Sequence, residues 1–299
     1  MSQLSLYDKS FKIIFEENKN LKMNNQLYPC LWFDGNAKEA ATFYSSAFDN
    51  SKIISENPIV VMFELEGVLF MGLNAGPQFK INPSISFFVY CNSAEEVEKK
   101  WKQLSDGGSV LMALDKYPWN DKYGWCADKY GVNWQLMLHD KVGQKIVPSF
   151  MFTQQQSGKA EEAINFYTSL FKNSEVQLIS RYEKGEGDVE GNIKHARFTL
   201  NGQVFTAMES SGPHAFTFNE GVSIVVPCDG QEEIDFYWNK LSEGGKESQC
   251  GWLKDKFGVS WQIVPAMLGK IMSEPGKAKR VMDVVMKSIK FNIAELENA

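Results

Sequence analysis

The chain has 299 residues, 43% hydrophobic and 23% charged, which excludes a disordered or low-complexity protein and suits about two domains. A formal charge of −6 argues against nucleic acid or an anionic membrane as partner, since both need a basic face. No apolar run approaches the ~20 residues of a membrane-spanning helix.

The first 27 residues read as an N-terminal extension. Their short apolar run, Phe11 to Phe15, is broken by Lys12 and followed by Glu16 and Glu17, unlike a secretory signal. Met23 could be the natural start, leaving residues 1–22 disposable. An apolar strand follows over Tyr28–Phe33. Then Ala37, Ala40, Ala41, Tyr44 and Phe48 form one helical stripe, with Asn36 as cap and Glu39 completing a capping box. Short strands are predicted at 52–55, 60–66 and 68–74, with Glu66-Gly67 as a hairpin turn. The order then repeats. Strand Ile85–Tyr90 leads to a helix capped by Ser93, with Glu96 at its third position and a stripe of Val97, Trp101 and Leu104. Gly107-Gly108 ends that helix, and further strands lead to Val132–Leu138.

The second half copies the first. CNSAEEVEKKWKQLSDGG (91–108) matches CDGQEEIDFYWNKLSEGG (228–245), and GWCADKYGVNWQL (124–136) matches GWLKDKFGVSWQI (251–263). The stretch 29–48 matches 148–171, and 67–77 matches 202–213. The first copy carries about ten extra residues around Met112–Asp121. The domains are therefore read as repeat 1 at 28–138, repeat 2 at 147–265, and a helical appendix at 266–299 with a stripe of Val281, Val284, Val285 and Ser288. Strand, helix and three strands recur four times.

These blocks, with WFDGNAKEAATFY and CGWLKDKFGVSWQIVP, resemble the PhnB-like branch of the vicinal oxygen chelate superfamily, which includes glyoxalase I, bleomycin-resistance proteins and extradiol dioxygenases. Its sequences often carry a demethylubiquinone methyltransferase label. The resemblance covers nearly everything after residue 27. It implies an α+β fold of tandem glyoxalase-like domains, in which four βαβββ units form curved half-barrel sheets with helices outside and a ligand in each cup. Alternation supports such a cup: Val132, Trp134 and Leu136 oppose Asn133, Gln135 and Met137, and Val259, Trp261 and Ile263 oppose Ser260, Gln262 and Val264. Candidate pocket residues are Phe33, Asn74, Ser84, Ser86, Gln135, Phe150, Phe152, Glu209, Ser223 and Gln262. Whether a cup forms within one repeat or by exchange of units between repeats stays open.

Metal-using relatives place His, Glu or Gln at positions that align here with Pro29, Ser84, Gln135, Pro148, Gly221 and Gln262, and near Asn74 and Glu209. Pro and Gly offer no side-chain donor and amides bind weakly, so the expectation is no metal and no cofactor. Methyl transfer from S-adenosylmethionine would want a glycine-rich turn opening a helix; the nearest candidate, Gly185–Gly191, is acidic and reads as a loop. Five cysteines without a CxxC pair read as buried thiols of a cytoplasmic protein. As a nucleophile pair, Cys228 and Cys250 have no histidine with a sequence reason to be near. Trp125, Trp134, Trp252 and Trp261 serve either core packing or ligand stacking. The reading is a metal-free binder of a small organic molecule, folded as a monomeric pseudo-dimer. The rivals are an enzyme of the same fold using Glu209 as base, and a structural protein with filled cups.

Overall fold

The computed structural model describes residues 26–139, 143–274 and 276–299. The proposed start at Met23, most of the N-terminal extension and part of the 139–146 linker lie outside them. Unit 1 comprises β1 (Tyr28–Phe33), α1 (Ala37–Ala47), β2 (Ser51–Glu56), β3 (Val60–Leu65) and β4 (Val68–Asn74). Unit 2 comprises β5 (Ile85–Cys91), α2 (Ala94–Ser105), β6 (Ser109–Tyr117), β7 (Asn120–Ala127) and β8 (Asn133–Leu138). Unit 3 holds β9 (Ile146–Thr153), α3 (Ala160–Leu170), β10 (Val176–Arg181), β11 (Ile193–Leu200) and β12 (Gln203–Ser210). Unit 4 holds β13 (Val222–Cys228), α4 (Gln231–Ser242), β14 (Lys246–Glu247), β15 (Trp252–Lys254) and β16 (Ser260–Pro265). The chain ends in α5 (Leu268–Ser273), α6 (Ala278–Lys287) and α7 (Ile293–Glu297).

Local chemistry explains the element ends. Glu66 and Gly67 both take positive φ, 50° and 82°, as a two-residue hairpin turn demands. Ser93 accepts the Glu96 N–H at 3.2 Å, and Glu96 Oε2 accepts the Asn92 N–H at 2.9 Å. Asn36 behaves differently from the expected cap. Its side chain makes no capping bond, and the Ala37 N–H goes instead to Asn74 Oδ1 at 2.9 Å.

The pairing of units answers the question that sequence left open. Two eight-stranded mixed sheets form, neither a closed barrel. In one, β1 pairs antiparallel with β13, joining unit 1 to unit 4. In the other, β5 pairs antiparallel with β9, joining unit 2 to unit 3. Each sheet therefore takes one unit from each repeat. The loops before β5 and β13 clasp each other symmetrically: Asn82 Nδ2 donates to Thr217 O at 3.0 Å, and Asn219 Nδ2 to Lys80 O at 2.9 Å. Gly221 is needed there, because a Cβ would sit 2.5 Å from Lys80 O.

One face of each sheet packs against the helices and the other sheet. Phe70 of β4 meets Phe87 of β5 at 5.2 Å between centroids, and Tyr44 of α1 meets Trp134 of β8 at 5.4 Å. All five residues of the α1 stripe are buried in this core, which runs through both repeats. The opposite face of each sheet carries its own smaller side-chain cluster; these faces are termed the outer cup, from units 1 and 4, and the inner cup, from units 2 and 3.

Candidate functional site

The pleat sends alternate residues into the cups, and the strand registers line these up in rows. Across the inner cup the row runs Trp125, Gln135, Phe88, then Ser86, Ser149, Thr206 and Arg197. Tyr123 Oη donates to Gln135 Oε1 at 2.6 Å, and Gln135 Nε2 donates to Ser86 Oγ at 2.7 Å. Phe88, Tyr90, Tyr123, Trp125, Val147 and Met151 form a separate small apolar cluster on this face. His195 meets Phe88 edge-on at 6.0 Å, and burial, with Arg197 beside it, holds its pKa below the usual value.

The outer row runs Trp252, Gln262, Val225, then Ser223, Cys30, Met71 and Met62. Gln262 Nε2 donates to Ser223 Oγ at 2.9 Å. Trp32 meets Trp252 edge-on at 5.8 Å and Phe79 at 5.0 Å. Burial pushes the Cys30 thiol up to about 12, so it is protonated at neutral pH.

Of the ten candidate pocket residues, Ser86, Gln135, Ser223 and Gln262 share the open faces, and buried Ser84 precedes β5 in the same phase. The other five need correction. Phe33, Phe150 and Phe152 belong to the core between the sheets; β1 is apolar on both faces, and in β9 Ser149 marks the cup-facing phase, opposite to Phe150 and Phe152. Asn74 and Glu209 point to the helix side. Glu209 is 3% exposed; its Oε1 accepts the Ala160 N–H at the start of α3 at 2.8 Å, and its Oε2 accepts the Ile193 N–H at 2.6 Å. It ties a helix end to a strand on the helix side of the sheet, facing away from the cup, so it is not placed to act as a base on a molecule there. Pro29 and Pro148 likewise pair with the core-facing Ile224 and Phe87; the cup positions beside them are Cys30 and Ser149.

Tyr90, His195 and Arg197 escaped the sequence reading. The signal was present: in IKHARFTL (193–200), His195, Arg197 and Thr199 alternate with Ala196, Phe198 and Leu200. Asp255 lies in the turn between β15 and β16. It is fully buried, accepts from Tyr167 Oη at 2.6 Å and Trp261 Nε1 at 2.8 Å, and burial pushes its carboxyl up to about 6. It faces the core and joins unit 3 to unit 4. Cys228 is buried with its thiol pushed up by that burial, and the half-buried Cys250 is shifted the same way, so neither is a ready nucleophile. Trp134 and Trp261 are fully buried core residues, whereas Trp125 and Trp252 line the cups. Two surface hollows, of about 340 and 540 Å³, lie beside Tyr237 and beside Phe291; the first also touches Pro227 near the end of β13, and neither includes the Gln–Ser pairs.

A protein-family profile described as 3-demethylubiquinone-9 3-methyltransferase matches residues 25–137 and again 144–264. The chain belongs to this family. It is the PhnB-like branch of the vicinal oxygen chelate superfamily, present here as a tandem repeat. A PhnB protein of Bacillus cereus is 36% identical over 38% of this chain and 98% of its own, with a TM-score of 0.36. A Staphylococcus aureus protein is 31% identical over 38% of this chain and 94% of its own, with a TM-score of 0.18. Glyoxalase I of Zea mays is 12% identical over 81% of this chain and 93% of its own, and its TM-score of 0.54 shows a shared fold. No curated protein matches the chain.

The residues present do not fit the groups this kinship implies. For a divalent ion, the cups offer a glutamine already bonded to a serine, with Cys30 or Ser149 beside it, and no carboxylate at those positions. Among the described residues, one carboxylate trio is close enough to hold a cation, Asp49, Glu66 and Glu96. It lies outside the cups, and the Lys100 ammonium sits within 3.5, 3.7 and 3.6 Å of its members. For S-adenosylmethionine, the Gly185–Gly191 segment joins β10 to β11, strand to strand, and opens no helix.

Proposed function

We propose that this protein binds a small organic molecule on the open face of its sheets, using neither a metal nor a methyl donor. One observation carries the reading. Each open face is built mainly of apolar and aromatic side chains, yet each buries a Gln–Ser pair at its centre, Gln135 with Ser86 and Gln262 with Ser223. Apolar walls with a few convergent polar groups are what a ligand site needs, and a pure packing surface has no use for them. Native mass spectrometry of freshly purified protein tests the proposal. An additional, collisionally removable mass on the 33.9 kDa chain is the expected result. A bare chain that also shows no thermal shift with any member of a broad small-molecule library contradicts it.

The assembly proposal is a monomer. The β1–β13 and β5–β9 seams, which could otherwise join two subunits, are both closed inside one chain. Light scattering at micromolar concentration is expected to give 33.9 kDa; twice that mass refutes it.

A further inference from the structure

The helix–sheet junctions of the two repeats occupy equivalent places and are filled differently. In repeat 1 the Lys100 ammonium lies 3.5, 3.7 and 3.6 Å from Asp49, Glu66 and Glu96. Lys145, just before β9, adds a second ammonium 3.7 Å from Glu66 and 3.8 Å from Glu96. Three carboxylates and two ammonium groups thus meet there, all from the chain itself.

The junction of repeat 2 holds a hollow of about 340 Å³, within the size range of small-molecule sites. Its lining is the aligned counterpart of that cluster. Lys172 and Asn201 stand for Asp49 and Glu66, Glu233 for Glu96, Tyr237 for Lys100, and Gln26, shortly before β1, for Lys145. Glu66 and Asn201 share the same left-handed backbone, each at φ 50°. Of the five charges in repeat 1, only that of Glu233 is kept, and Lys172 puts a cation where repeat 1 has an anion. The hollow therefore presents one ammonium and one carboxylate, flanked by the carboxamides of Gln26, Asn173 and Asn201 and by the Tyr237 ring stacked on Phe171.

Lys172 Nζ lies 3.4 Å from Glu233 Oε1, and their side chains are 79% and 32% exposed. An exposed pair of this kind holds its partners weakly, so a molecule that offers each of them a better partner can open it. Glu233 Oε2 accepts the Asp229 N–H at 3.0 Å, which keeps the carboxylate in place when the pair opens. A lone cation is repelled by Lys172 and a lone anion by Glu233, whereas a molecule with both charges on neighbouring atoms satisfies both.

We propose that this hollow takes a free α-amino acid, its ammonium on Glu233 and its carboxylate on Lys172 and the neighbouring amides. The site is separate from the sheet faces, and its occupancy neither needs nor tests a ligand there.

The full chain, labelled with ¹⁵N, is titrated with L-leucine, with 4-methylpentanoate, which lacks the amino group, and with 3-methylbutylamine, which lacks the carboxylate. The amide signals of Asn173, Gly202 and Glu233 report the hollow. L-Leucine is expected to shift them saturably, with each analogue about tenfold weaker or worse, as loss of one charge-assisted contact implies. Lys172→Met should bring L-leucine down to the level of 3-methylbutylamine, and Glu233→Gln down to that of 4-methylpentanoate. Asp49→Asn, at the equivalent place in repeat 1, should leave L-leucine binding unchanged. If Glu233→Gln fails to fold, judged from the remaining signals, the highly exposed Lys172 carries the test alone. Equal binding of L-leucine and either analogue, an unaffected Lys172→Met, or no shift at ~10 mM overturns the assignment. Shifts confined to the Trp125 or Trp252 indole signals also overturn it and place L-leucine on a sheet face instead.

Discussion

The outer and inner cups are built from equivalent strands and differ in what those strands send inward. Both keep the Gln–Ser pair. Around it the inner cup places Tyr90, Ser149, Arg197 and Thr206, where the outer cup has Pro227, Cys30, Met62 and Met71. The helix–sheet junctions of the two repeats diverge in the same manner. In repeat 1 the buried Lys100 lies over the Phe48 ring at 5.1 Å and among Asp49, Glu66 and Glu96. In repeat 2 the same place is held by Tyr237 stacked on Phe171 at 5.0 Å, with Lys172 and Asn201 where repeat 1 has Asp49 and Glu66. The backbone plan thus tolerates either charge or aromatic stacking, provided each set is complete in itself.

Paired substitutions probe these differences, and the largest effect is expected at the two tryptophans. Trp238 is 3% exposed and donates to Glu247 at 2.9 Å, whereas its counterpart Trp101 is half-buried. Trp238→Ala is expected to cost ~3–5 kcal/mol in urea melts and Trp101→Ala about half of that. Equal losses would show that the appendix and β14–β15 add nothing to the packing of α4. Next comes the ion cluster. Lys100→Met leaves Glu66, whose side chain is 7% exposed, without its nearest buried partner and is expected to cost ~2–4 kcal/mol. Adding Glu66→Gln should return most of it. In repeat 2, Tyr237→Phe should cost under ~1 kcal/mol, since the stack survives.

The third difference is one of pH. Asp255 has its carboxyl raised to about 6 in the folded chain, above the ordinary aspartate range. Proton binding therefore favours the fold. The stability it contributes is complete below the unfolded value and lost as pH rises through about 6. Urea stability is expected to gain about 1 kcal/mol from this group between pH 7 and pH 5, and Asp255→Asn should remove that gain. A fall in stability over that window, unchanged in the variant, would contradict the burial of a neutral acid. The smallest effect belongs to the inner cup. Tyr123→Phe removes the bond to Gln135 and should cost ~1 kcal/mol in urea melts, whereas Gln262 of the outer cup has no such tyrosine to lose.

The repeats, strand spans and helix stripes were legible because period-2 and period-3.6 patterns are local. So were Gln135, Gln262, Ser86 and Ser223, which sit on strands with one polar phase. Phe33 was not, since a strand apolar on both faces carries no phase, and Phe150 and Phe152 were put on the wrong face although Ser149 marks the other one. Asn74 and Glu209 were misread by one position, and a one-residue slip reverses a strand's facing. The exchange of units between repeats was invisible for a different reason. The seam strands β1, β5, β9 and β13 are all short and mostly apolar, and β5, β9 and β13 each carry a serine on the same face, so any two could pair, and the choice is made by loop geometry at Gly221, Asn82 and Asn219.

The central claim is that each cup is shared between the repeats, and a cross-strand thiol link tests it most directly. Cys30 of β1 lies opposite Ser223 of β13 in the seam register. Had the cups formed within a repeat, β1 would instead face β5, the strand that carries Ser86. Under mild oxidation, Ser223→Cys is expected to give a link from Cys30 to the introduced thiol within a single chain, mapped by peptide mass, while Ser86→Cys gives none to Cys30. A link to Cys30 in the Ser86→Cys protein, or one that joins two chains in the Ser223→Cys protein, would contradict the shared cups.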